Sequence, residues 1–130
     1  QMNKFIKTWN GKQIDDWGCT CSDEFKSFTR QFKNALKRTF PDCEIIGFKA
    51  NHYDFSGFLK RGDKYVYISY SEPREQALDM SRSDCSNGIL YRAAKHEKDY
   101  TGGHNHFCNF FELEQSVNEM FERVQKEMVD

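Results

Sequence analysis

Apolar positions recur along this chain with two different periods, and the changes of period mark its elements. Between Ser22 and Phe40 they fall at Phe25, Phe28, Phe32, Leu36 and Phe40, the spacing of one face of an α-helix. Ser22 is suited to cap that helix, Asp23 and Glu24 to occupy its first turn, and Pro41 to end it. From Glu44 to Tyr70 the period shortens to two: IIGFKA, YDFSGFLK and KYVYISY are rich in Phe, Tyr, Val and Ile and bounded by Asn, Gly and Asp. Phe55 and Leu59 then share one face, as do Val66, Ile68 and Tyr70. Gly62-Asp63 suits a tight hairpin turn in which glycine takes the positive φ.

A fourth strand is expected at 89–94 (ILYRAA), after a long polar connection at 71–87, and a second polar loop at 95–109. Phe110, Leu113, Val117, Met120, Phe121, Val124 and Met128 trace the apolar stripe of a C-terminal helix over 110–128. Residues 2–21 read as an N-terminal arm, a short strand or irregular segment, pinned by Phe5, Ile6, Trp9, Ile14 and Trp17. The pattern predicts one domain over residues 1–130. It is α+β: an antiparallel meander of three to four strands with an N-terminal helix (22–40) and a C-terminal helix on one face. Phe28, Phe32, Phe55, Val117 and Phe121 are the expected core.

Composition alters this picture in one respect. The 12 Phe, 6 Tyr and 2 Trp outnumber the 15 Leu, Ile and Val, so the core is aromatic and a hydrophilic chain of mean hydropathy −0.86 can still fold. Gln1 ahead of Met2 reads as an added residue. No signal-peptide pattern is visible and no run approaches the roughly 20 apolar residues of a membrane span, so a cytoplasmic monomer is expected. The net charge of −1 divides unevenly: residues 1–65 carry 12 Lys/Arg and 8 Asp/Glu, residues 66–130 carry 7 and 12. A chain so balanced lacks the basic excess of a non-specific nucleic-acid binder, and direct nucleic-acid binding is not expected.

Five cysteines in a chain without a secretion signal point to free or metal-bound thiols rather than a disulfide framework. Cys19-Thr20-Cys21, just ahead of the first helix, is half of a zinc site. The meander brings His52 and the loop holding Cys85 to the same end, so Cys19, Cys21, His52 and Cys85 form the candidate Cys₃His set. The rival set is His104, His106 and Cys108, which alternate onto one side if the segment is extended. No P-loop, GxSxG or HExxH motif is present, and Asn51-His52-Tyr53-Asp54 reads as a strand turn rather than a general base. Arg61-Gly62-Asp63 likewise reads as a hairpin turn. Two surface stripes remain: Lys26, Arg30 and Lys37 on the first helix, and Glu114, Glu119 and Glu122 on the last.

The segment FKNALKRTFPDCEIIGFKANHYDFSGFLKRGDKYVYISYSEPR, followed by SDCSNGILYRAAKHEKDYTGG, resembles small proteins carried on phages and conjugative elements of Gram-positive bacteria. Among these are the type II-A anti-CRISPR proteins, which include a metal-containing member. The resemblance implies a non-enzymatic inhibitor in the cytoplasm of a bacterial host, one that binds an RNA-guided DNA nuclease and blocks nucleic-acid loading. It carries no catalytic residues across. Affinity would then come from a few aromatic or Arg anchors and steering from the charged faces, with Glu114, Glu119 and Glu122 as the partner-binding stripe or, alternatively, Lys26, Arg30 and Lys37. A zinc-dependent nuclease or hydrolase, and a small nucleic-acid-binding module, are the readings of other classes.

Overall fold

The computed structural model describes residues 2–12, 23–50, 54–71, 77–84 and 88–128. In chain order the elements are α1 (Asn3–Trp9), α2 (Asp23–Thr39), β1 (Glu44–Ala50), β2 (Asp54–Arg61), β3 (Lys64–Ser71), β4 (Ile89–Ala94), β5 (His106–Cys108), α3 (Leu113–Glu122) and α4 (Val124–Met128). The sheet is antiparallel with strand order β1-β2-β3-β4-β5, one strand more than the upper limit expected. The additional strand is β5, inside the stretch read as a polar loop. It is only three residues long, too short for alternation to stand out, and it forms because β4 offers it an open edge, Ile89 opposite Cys108 and Tyr91 opposite His106.

Register fixes which side chains share a face. Phe55 lies opposite Tyr70, Leu59 opposite Val66, and Ile68 opposite Tyr91, so all of these point to the helix side. There they meet a ring cluster: Phe32 lies 5.6 Å from Phe55, Phe28 5.6 Å from Tyr70, and Phe110 5.2 Å from Tyr70. Phe28, Phe32, Phe55, Val117 and Phe121 are all buried, as the stripes predict. Each ring removes a large apolar area from water, which is how few aliphatic residues suffice.

The hairpin between β2 and β3 turns on Gly62 at φ 64° with Asp63 second, the glycine-first pattern of a type II′ turn. Its Arg61 faces the helices: Nη2 donates to Asn118 Oδ1 at 2.9 Å, Nε lies 2.9 Å from Asp42 Oδ2, and the guanidinium sits 4.5 Å from the Phe121 ring centroid. The arginine of Arg-Gly-Asp thus ties α3 to the sheet.

A bulge in β1 had no signature in the hydrophobic pattern. Gly47 pairs with Gly57 and Lys49 with Ser56, leaving Phe48 without a partner in the ladder. Gly47 and Phe48 have φ of 80° and 60°. The extra residue turns the Phe48 ring into the core, 5.5 Å from Phe55, and over Gly57, where a Cβ would come within 2.4 Å of it.

The N-terminal arm is helical rather than extended. Met2, Phe5, Ile6 and Trp9 are buried along one side of α1, a helical spacing too short to be decisive in the sequence. The end of α1 is stitched to the connection before β4: Gly11 N–H donates to Leu78 O at 2.7 Å, Leu78 N–H to Lys12 O at 2.8 Å, and Met80 N–H to Asn10 Oδ1 at 3.0 Å. The expected C-terminal helix is two helices, with Arg123 between them at φ −119° and ψ 18°. Ahead of α3, Asn109 and Glu112 exchange backbone-to-side-chain bonds of 3.0 and 2.8 Å, a reciprocal capping arrangement.

Candidate functional site

Cys19, Cys21, His52 and Cys85 all lie outside the described residues, as do Asn51 and Tyr53. The rival set is described, and its members have different surroundings. His106 and Cys108 do alternate onto the helix side of β5. Cys108 is buried in the core opposite Ile89, and burial pushes its thiol up to about 12, so it stays protonated. His106 is half-buried against Tyr91, with ring centroids 5.5 Å apart, and its Nε2 lies 2.7 Å from Glu127 Oε1 on α4. His104 is exposed. Among the described residues no group of three or more His, Cys, Asp or Glu side chains is placed to hold a metal ion.

The His106 bond holds the Glu127 carboxyl below its ordinary value; burial opposes it, and the nearby His106, Arg123 and His104 add to the lowering. Glu127 also lines a polar cleft of about 460 Å³ with Lys95, His96, Asp99 and His104. The floor of that cleft is a knot in the 95–102 loop. Asp99 is buried, and its carboxylate accepts from the backbone N–H groups of Lys95 (2.8 Å), Thr101 (3.2 Å) and Gly102 (2.9 Å). Burial acts upward on Asp99, but these three bonds and Arg92 outweigh it and leave its carboxyl below the ordinary range. Every oxygen of Asp99 is therefore committed to holding the loop.

The knot seats one residue on the sheet face turned away from the helices. Ile46, Phe58, Tyr67 and Arg92 form a row across that face. Tyr100, 63% exposed, closes over Phe58 and Tyr67 with ring centroids 5.6 and 5.9 Å away.

On the helical side, an acidic stripe on α3 contrasts with a basic stripe on α2, whose acids Asp23 and Glu24 are confined to its first turn. Glu114, Glu119 and Glu122 are exposed on α3, where Glu119 accepts from Gln115 Nε2 at 3.0 Å. Phe111, 58% exposed, stands immediately ahead of that helix. The Phe110-Phe111 doublet was the available signal for it: consecutive residues at a helix start cannot both face the core, and Phe110 takes the buried place. Lys26, Arg30 and Lys37 are exposed on α2.

No helix among the described residues is long and apolar enough to cross a membrane. No protein-family model, curated protein or solved structure matches the chain.

Proposed function

We propose that this chain is a protein-binding inhibitor of a CRISPR RNA-guided DNA nuclease, acting stoichiometrically to block nucleic-acid loading rather than by turnover. The observation that carries the reading is Phe111, an exposed aromatic at the head of a helix whose outer surface presents Glu114, Glu119 and Glu122. An aromatic anchor bordered by one sign of charge is how a small domain combines affinity with steering. The complementary surface is a Lys/Arg-lined channel with an apolar recess, the kind of groove in which an effector holds nucleic acid. The resemblance to anti-CRISPR proteins supports the same partner. A structural zinc on Cys19, Cys21, His52 and Cys85 belongs to this reading, with all four coordination positions filled by protein and none left for water chemistry.

The test titrates the protein against a fixed amount of a guide-loaded type II-A effector and follows DNA cleavage. Inhibition should be complete near one inhibitor per effector and should weaken as salt rises, since exposed charges are screened over about 10 Å at 0.1 M. Phe111→Ala and the reversal of Glu114, Glu119 and Glu122 to lysine should each weaken binding with the fold intact. Reversal of Lys26, Arg30 and Lys37 is the comparison. Complete inhibition at a small fraction of one equivalent would mean an enzyme, and absence of binding would end the effector assignment.

A further inference from the structure

Residues 2–12 contain three lysines, residues 25–40 contain five Lys/Arg, and neither stretch contains an Asp or Glu. The fold lays these two stretches side by side. Trp9 donates from Nε1 to Gln31 Oε1 at 3.0 Å, and Phe5 stacks on Phe32 at 5.3 Å between ring centroids, so α1 is fixed along α2. A groove of about 310 Å³ runs between them, lined by Lys4, Phe5, Thr8, Gln31, Asn34 and Arg38. Lys26, Arg30, Lys33 and Lys37 form the adjoining stripe of α2, and Lys7 is exposed on α1. Among the described residues none of these cations is in a salt bridge.

We propose that the joined outer surfaces of α1 and α2 are a binding site for the phosphate backbone of duplex nucleic acid. The chemistry of the lining separates this from an acidic protein surface. Phosphate contacts are made by Lys and Arg together with Ser, Thr, Asn and Gln, which is the inventory of this groove. A protein interface needs a desolvated apolar or aromatic centre, and here the one aromatic, Phe5, is 2% exposed and belongs to the core. The same lack of exposed rings removes the stacking platform by which single strands are held. At 1.5 Å per residue the stripe from Lys26 to Lys37 spans about 16 Å. Over that length a duplex presents on the order of ten phosphate charges, so binding requires no particular register or sequence. The near-neutral charge of the whole chain is no obstacle, because α2 carries no acid from Phe25 onward: Asp23 and Glu24 are confined to its first turn, and Glu114, Glu119 and Glu122 stand on α3.

Labelled 20-base-pair DNA and RNA duplexes, each with its single strand, test this with the full chain and no nuclease present, so the outcome is independent of the inhibitor reading. Duplex binding is expected at 50 mM salt, with log K falling linearly against log salt. The Lys4→Gln/Arg38→Gln variant should bind about tenfold more weakly and lower the slope by about 2, since each neutralised phosphate contributes about 0.9. Glu114→Gln/Glu119→Gln should not weaken binding. Both positions in the basic variant are at the surface, and an unchanged circular dichroism spectrum and unfolding midpoint verify that it folds. No duplex binding at 50 mM salt, an unaltered slope in the basic variant, a tenfold preference for single strand, or equal competition by polyglutamate would each overturn the proposal.

Discussion

Arg92 donates from Nη2 to the backbone carbonyl of Asp99 at 2.6 Å, while the carboxylate of that aspartate accepts three backbone N–H groups of the same loop. Nη1 of Arg92 reaches Gly102 O at 2.7 Å, and the guanidinium lies 4.5 Å from the Tyr67 ring centroid. One arginine on a central row of the sheet and one aspartate in the loop thus fold eight residues down onto an aromatic surface. Asp99→Ala should cost about 1–3 kcal/mol, because three part-buried backbone donors lose their acceptor. Asp99→Asn, which keeps one oxygen in place, should cost less. Urea unfolding of both variants checks the order, and equal losses would show that the oxygens are not what holds the loop.

Gly57 is predicted to be intolerant of any side chain. An added methyl would meet Phe48 Cδ2 at 2.4 Å and Ile46 O at 2.6 Å, so either the bulge or the ring must move. Gly57→Ala should destabilise by about 1–3 kcal/mol, the range for overpacking a dense core. At Gly62, where nothing lies within 4 Å, alanine should act only through its unfavourable positive φ. A thermal shift at Gly57 no larger than that of a surface substitution would refute the bulge geometry.

The His106–Glu127 pair makes the attachment of α4 sensitive to acid. The Glu127 carboxyl is held below its ordinary value of 4.5, chiefly by the His106 bond. A depressed carboxyl contributes stability that is fully present above its unfolded value and is lost as pH falls through its folded value. Between pH 6 and pH 3.5 the wild type should therefore lose more stability than Glu127→Gln, measured as the difference in urea midpoint. Amide protection at residues 124–127 should fall over the same interval in the wild type. Identical pH dependence in the two proteins would show that the pair contributes nothing.

Protein purified without a metal-affinity tag should carry about one zinc per chain by elemental analysis, on the strength of Cys19 and Cys21 with His52 and Cys85. Cys19→Ser and Cys85→Ser should lower the zinc content and the melting temperature. Cys108→Ser should leave zinc unchanged, because Cys108 is buried in the core opposite Ile89 and belongs to no group of three or more metal-ligating side chains among the described residues. Metal-free protein of unaltered stability would remove zinc from the account.

The long periodic segments were legible in the sequence by themselves, because their burial is repeated often enough to be read as a pattern. Phe25 to Leu36 determined α2, Phe55 to Tyr70 determined the central hairpin, and Leu113 to Phe121 determined α3, each with its buried face. Tertiary structure decided the elements too short to repeat. The three residues of β5 are a strand because β4 leaves an edge beside them, and α1 is a helix because its buried side packs against α2. It also decided the Phe48 bulge, which one close approach at Gly57 accommodates and no periodicity records.

The same division applies to the sites. Charge counted along the chain comes to −1 and describes no surface at all. Folding brings the lysines of residues 2–12 beside those of 25–40, while Glu114, Glu119 and Glu122 gather on α3, because electrostatics acts through distances in space rather than positions in sequence. Glu127 could not be foreseen as the partner of His106 for that reason, being 21 residues away along the chain and 2.7 Å away in the fold.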